Sequence, residues 1–281
     1  MEPEIYRKRA LRTTRTFLTK GTCSQTLLAV LNRAYGHPLP VEEAASDPLA
    51  GGLVQYGYQC GQVWGAALAA GAQAHRLFGA GPEAETRALI AAQGIAAAFQ
   101  AQTGHLNCLE ITDISRSSSG LRMFAYFFLK GGVVGCFRMA SRFAPAAYGA
   151  IEAAFAADPG ETPILPVSCA ALTARRLGGS DLHAVMAAGL AGGIGLSGGA
   201  CGALGGAMWI AGMRQFQKAG KLAYKDPAVV RVMERFQTCS GYEFECAKIA
   251  GRKFAGPADH AAYLCEGGCA NIINALSSEG K

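Results

Sequence analysis

The chain's chemistry is carried by its cysteines. Ten occur in 281 residues, and eight fall into two ordered sets of four. The first set is Cys23, Cys60, Cys108 and Cys136; the second is Cys169, Cys201, Cys246 and Cys269. Four thiolates are the ligand count of a tetrahedral zinc ion or of an iron–sulfur cluster. Thiolates are also the nucleophiles of thiol–disulfide exchange. The members of each set stand far apart in sequence, so only a folded helical bundle can bring them together. The short Cys-x-x-Cys spacings of zinc ribbons and ferredoxins are absent, and Cys265-x-x-x-Cys269, at one-turn helical spacing, is the only close pair. Cys239 and Cys265 have no counterpart in the other set and are secondary redox candidates.

The elements that must position these thiols are themselves duplicated. Leu49-Ala-Gly-Gly, Cys60-Gly61 and Gly65 recur as Leu190-Ala-Gly-Gly, Cys201-Gly202 and Gly206, and the register extends to Ala70-Gly71 and Ala211-Gly212. A repeat of this kind bears on every other assignment. The glycines before each cysteine favour a loop that adopts positive φ. Gly61 with Gly65, and Gly202 with Gly206, put two bare positions one helical turn apart, where another backbone can approach. Each cysteine then sits near a helix N-terminus, where free N–H groups and the helix dipole favour a thiolate. The plain alternative is a small-residue packing face with a buried, inert cysteine.

Composition narrows the class. Charged residues are 16% and apolar residues 51%, with 37 glycines, so much of the surface must be small and neutral. The net charge of +6 is mild and is concentrated in a basic N-terminal arm containing Arg7, Lys8, Arg9, Arg12, Arg15 and Lys20. This predicts a solvated helix or arm for an acidic partner; nucleic acid is not expected, since no reader motif accompanies the charge. Uncharged residues 187–213 are long enough to span a membrane but too glycine-rich to be read as a span. No secretory leader is visible, so a cytoplasmic protein is expected. There, ten cysteines point to metal or redox chemistry rather than structural disulfides.

Along the chain, Thr22 is a plausible cap for a helix carrying Leu27, Leu28 and Leu31. A short helix is expected over 42–50 and a long alanine-rich one over 83–102. Residues 113–120 read as a polar loop, residues 123–129 as a strand or buried helix, and Gly135-Cys136 as the opening of another helix. Asp158 to Pro166 is a linker, after which Ser168-Cys169, Cys201, Cys246 and Cys269 repeat the order. The expected fold is all-α, mostly helical, in two tandem pseudo-symmetric bundle halves: 1–157 with the basic arm, and 158–281. The duplication favours two modest cores over one large one.

These residues resemble the redox-active protein family named for its cysteine pattern, C_GCAxxG_C_C. Cys201-Gly202-Ala203-Leu204-Gly205-Gly206 carries its Cys-Gly-Ala-x-x-Gly element in full; Cys60-Gly61-Gln62-Val63-Trp64-Gly65 departs at Gln62. The flanking cysteines match in both halves, so the chain is similar to a tandem fusion of two family units. The resemblance implies redox activity, and relatives fused to multihaem segments imply an iron–sulfur centre. With no Cys-x-x-Cys-His here, no covalent haem is expected.

The leading expectation is an iron–sulfur protein in electron transfer, its cluster held by the eight cysteines with Gly61, Gly65, Gly202 and Gly206 as site backbone. The centre could be one per half or shared between them. Metal-free thiol–disulfide or sulfur-transfer chemistry, and thiolate binding of zinc or copper, are the alternatives. A redox partner protein is expected, and a homodimer is left open. His37, His75, His105, His183 and His260 show no ligand spacing; His105, three before Cys108, is the one worth following. Trp64 and Trp209 are expected to pack helices, and Gly192–Gly206 lacks the downstream acid and the Lys-Ser/Thr of nucleotide loops.

Overall fold

The computed structural model describes residues 13–126, 131–160, 162–163 and 166–278. It is mostly helical, with no strand among the described residues and only two isolated bridges, Gln59 with Asn107 and Ala200 with Glu245. The first half contains α1 (Cys23–Ala34), α2 (Pro40–Ala45), α3 (Gly61–Phe78), α4 (Pro82–Thr103), α5 (Cys108–Thr112) and α6 (Gly132–Ala156). The second contains α7 (Cys169–Arg176), α8 (Asp181–Ala188), α9 (Gly202–Ala219), α10 (Pro227–Ser240), α11 (Cys246–Ile249), α12 (Pro257–Cys265) and α13 (Ala270–Ser277). The first five helices of each half correspond in order, so the all-α fold with two pseudo-symmetric halves is present as expected.

Local sequence explains the helix limits. α4 and α10 each begin on proline, whose missing N–H costs nothing in a first turn, and each ends at a left-handed glycine, Gly104 or Gly241. α3 and α9 are built from Gly, Ala and a few large residues, and nearly all of their first three turns are buried. They are the central helices of the two halves.

Each central helix packs on the short second helix of the other half: α3 on α8, and α9 on α2. The contact is reciprocal to the residue. A Cβ at Gly71 would stand 2.7 Å from the Met186 carbonyl, and one at Gly212 would stand 2.9 Å from the equivalent Ala45 carbonyl. This is the physical reason for the matched Ala-Gly pairs. On the pseudo-twofold axis, Trp64 lies over Gly205, the position equivalent to itself; a Cβ there would be 2.2 Å from the Trp64 ring. Trp209 donates to the Glu42 carbonyl at 3.0 Å. The Arg175–Glu85 ion pair and the His183–Glu42 hydrogen bond at 3.2 Å also join the halves. The main core runs continuously through both halves, from Leu27 to Leu276, in place of two separate cores.

Several local expectations are corrected. α6 opens at Gly132, so Cys136 is its fifth residue and does not begin it. The second helix ends at Ala45 and a 3-10 turn, Asp47–Leu49, follows. Residues Gly120–Phe124 form a short helix with Leu121 and Phe124 exposed, so the segment expected over 123–129 does not begin as a strand or buried helix, and its residues 127–129 lie outside the described residues. The basic arm falls outside the described residues up to residue 12. No described helix is long and apolar enough to cross a membrane.

Candidate functional site

The loop before each central helix sets the site. Gly51, Gly52, Leu53, Val54 and Gln55 all have positive φ, as do Gly192, Gly193, Ile194, Gly195 and Leu196. Side-chain-bearing residues adopt this region at a cost of about 1–2 kcal/mol each, so the surrounding contacts must enforce it. Glycine is obligatory at Gly52 and Gly193, where a Cβ would meet the Tyr58 and Gly199 backbone at 2.3 and 2.4 Å.

The same short ladder then pins two cysteines in each half. Cys60 N–H donates to the Leu106 carbonyl at 2.8 Å, and Cys108 N–H to the Tyr58 carbonyl at 2.6 Å. In the second half, Cys201 N–H donates to the Phe244 carbonyl at 2.8 Å, and Cys246 N–H to the Gly199 carbonyl at 2.6 Å. Gly61 and Gly65 seat α1: a Cβ at Gly61 would lie 2.6 Å from the Cys23 sulfur, and one at Gly65 would lie 2.1 Å from the Ser24 carbonyl. In the first half, the first glycine of the motif therefore makes room for a neighbouring cysteine, and the second for the helix that carries it.

Cys23, Cys108, Cys169 and Cys246 are first residues of helices; Cys60, Cys201 and Cys269 are N-caps. The unpaired N–H groups of a first turn are natural partners for sulfur anions. The neighbouring Cys60 thiol, with the backbone N–H groups of Gly51 and Ser24, draws the Cys23 thiol below its ordinary value. The Cys60 thiol is pushed up by Cys23, by burial and by the charge of Cys108. Burial and the neighbouring thiolate of Cys23 push Cys108 up to about 12 and Cys136 up to about 11.

The second set is gathered in the same way. Burial pushes up Cys169, against the N–H groups of Gly192, Ala170 and Ala203. Burial raises Cys201 well above a normal thiol, and Cys169, Cys246 and Cys269 add to it. Cys246 is raised by burial, Cys169 and Cys269; Cys269 is pushed up to about 11 by burial and Cys169. Each set of four is thus within mutual electrostatic reach inside its own half. No three Cys, His, Asp or Glu side chains among the described residues converge tightly enough to hold a single metal ion.

Sequence reasoning missed two groups of residues. A tyrosine hydroxyl faces the last cysteine of each set: Tyr126 bonds to Cys136, and the Tyr263 hydroxyl lies 3.8 Å from the Cys269 sulfur. Other residues come from across the halves. The Tyr224 hydroxyl donates to the Ala50 carbonyl at 2.7 Å, on the peptide whose Gly51 N–H faces Cys23. The Gln59 amide, at the position equivalent to Ala200, donates to the Gly193 carbonyl at 2.7 Å and accepts from Ala200 N–H at 2.9 Å. Mismatches between the repeats, Gln59 against Ala200 among them, were the available signal.

Other candidates stand apart. The half-buried thiol of Cys239 bonds to the Phe236 carbonyl of its own helix. Cys265 is exposed at the end of α12, and left-handed Gly267 and Cys269 turn the chain, so the close pair does not share a helix. His105 is exposed beside Glu110, while buried His260 bonds the Val167 carbonyl. Thr22 precedes α1 but donates to Asp47 at 2.6 Å instead of capping.

The family model described as “Putative redox-active protein (C_GCAxxG_C_C)” matches the chain twice, at residues 22–142 and 168–278. No curated protein and no solved structure matches it. With both matches spanning the four-cysteine sets, the chain belongs to the C_GCAxxG_C_C family as a tandem duplication of its unit.

Proposed function

We propose that this redox-active protein is an electron-transfer protein holding one thiolate-ligated iron–sulfur centre in each half. The ligand sets would be Cys23, Cys60, Cys108 and Cys136, and Cys169, Cys201, Cys246 and Cys269. The observation that carries the reading is the duplicated gathering of four thiols, seven of the eight at helix N-termini, with backbone N–H groups aimed at sulfur in both halves. Four anionic sulfurs raise one another's pKa and call for a cationic centre among them.

An iron–sulfur centre, when bound, supplies one-electron chemistry. The protein's contribution is the environment. Gly51 and Ser24 N–H groups would stabilise negative charge on the Cys23 sulfur, and Gly192 and Ala170 would do so for Cys169. Burial of Cys60, Cys169, Cys201 and Cys246 keeps water away. Tyr126 and Tyr263 hold a hydroxyl against the Cys136 and Cys269 sulfurs. Iron and acid-labile sulfide in comparable amounts in anaerobically purified protein, with absorbance near ~400 nm that bleaches on reduction, would support the reading; zinc alone would reject it.

A second reading is favoured by the neighbouring Cys23 and Cys60 thiols, of which Cys60 draws Cys23 down and is itself pushed up. Cys23 thiolate would attack a substrate disulfide, releasing one thiolate; Cys60 would then displace the other, leaving a Cys23–Cys60 disulfide and a reduced dithiol. Metal-free protein with a reversible Cys23–Cys60 disulfide would establish it.

A further inference from the structure

A cavity of about 440 Å³ opens beside the first cysteine set, reaching the surface at exposed Leu18. Cys23, Cys108 and Cys136 form part of its lining. The remainder includes Phe17, Ile114, Tyr126, Phe137 and Tyr224, and no Asp, Glu, Lys, Arg or His among the described residues contributes. Phe17 and Phe137 lie with ring centroids 4.5 Å apart.

Tyr224 is supplied by the other half. The connection between α9 and α10 spans residues 220–226, whereas that between α3 and α4 spans only 79–81. The longer connection carries Tyr224 across to the first cysteine set, and the shorter one has no residue to return the contact. The first site therefore has a wall that the duplication did not provide.

The volume lies in the range of small-molecule pockets. An anion buried beside thiols of the same sign is disfavoured, whereas an apolar ring gains from aromatic walls. We propose that this cavity binds an uncharged small molecule of one or two aromatic rings, held against the first unit's thiols and closed by Tyr224. Its identification as a ligand of a redox site rests on the proposed function; its binding does not.

The test is fluorescence titration of anaerobically purified full-length protein with 2-naphthol, with anionic 2-naphthoate as the matched control and iron and sulfide measured on the same sample. Saturable binding of 2-naphthol, at least about tenfold tighter than 2-naphthoate, is expected. Ile114→Trp, which fills the cavity, should abolish it. Leu18→Arg at the exposed mouth, unlike a core change, leaves folding intact and should shift the preference at least tenfold toward 2-naphthoate. Equal binding of the two probes, unchanged binding by both variants, or binding lost whenever iron is present would overturn the proposal. Binding without iron or sulfide would leave it standing while the iron–sulfur reading fell.

Discussion

The two cysteine sites share a scaffold and differ in access. Both use a left-handed loop, a Cys-Gly helix start and a two-rung ladder with nearly identical hydrogen bonds. In the second site three thiols are buried and the fourth is half-buried; in the first, only Cys60 is fully buried. The first site borders an apolar cavity and borrows Tyr224, and its Cys23 thiol is drawn down where the equivalent Cys169 is pushed up. Duplication preserved the backbone donors that hold sulfur, and divergence acted on what surrounds them. Under the proposed function, the second site suits a shielded electron relay and the first an exchange point with a ligand.

The motif glycines give the strongest way to break the comparison. Gly65 and Gly206 are equivalent in sequence, yet a Cβ at Gly65 would lie 2.1 Å from the Ser24 carbonyl, and one at Gly206 would lie 3.4 Å from Ala170. Gly65→Ala should lower stability by about 3 kcal/mol through forced separation of α1 and α3. Gly206→Ala should be neutral or gain up to about 1 kcal/mol from helix propensity. Thermal melts of the two variants decide this, and equal losses would mean that the halves are packed alike.

Metal-free protein should lose stability at alkaline pH. Cys108, Cys136 and Cys269 hold their protons to about 12, 11 and 11 when folded, against an ordinary thiol value of 9.0. Above pH 9 the unfolded chain releases protons that the folded chain keeps, so stability is full below that pH and falls through 11 to 12. Urea midpoints across this range should show the decline, and a metal-loaded sample, whose thiols are already deprotonated, should show less. Within that frame, iodoacetamide should modify half-buried Cys23 at a lower pH than buried Cys169, as read by peptide mass spectrometry; the reverse order would remove the electrostatic distinction between the sites.

Much of this was legible in the residues. Duplicated cysteines with Gly61, Gly65, Gly202 and Gly206 announced two equivalent helical units, because bare positions recur in register with the thiols in each half, although how closely each is approached differs between the halves. The matched Gly71 and Gly212 stand out in the sequence, but their partners, Met186 and Ala45, lie across the pseudo-twofold axis, where no local pattern points. Tyr224 was invisible for the same reason: a local pattern does not reveal which distant loop will reach a cavity. Cys136 was misplaced at a helix start because Gly135 resembled the other Gly-Cys steps, whereas left-handed Gly131 is the true start signal. The continuous core follows from small residues on both central helices, which let the halves approach too closely to keep separate interiors.

The smallest effect expected belongs to Tyr224→Phe. Loss of its 2.7 Å bond to the Ala50 carbonyl should cost about 1 kcal/mol. It should perturb the first site's spectrum and not the second's, because the peptide it holds faces Cys23 alone. Tyr263→Phe, beside Cys269, should do the converse.

The central claim, one iron–sulfur centre per half, is tested most directly by iron and sulfide content and electron paramagnetic resonance of reduced wild type, Cys60→Ser and Cys201→Ser, all purified anaerobically. The account predicts that each variant loses about half of the wild-type iron and sulfide, and that the two retain different signals summing to the wild-type spectrum. Wild-type protein without iron and sulfide, or one variant losing everything while the other loses nothing, would contradict it.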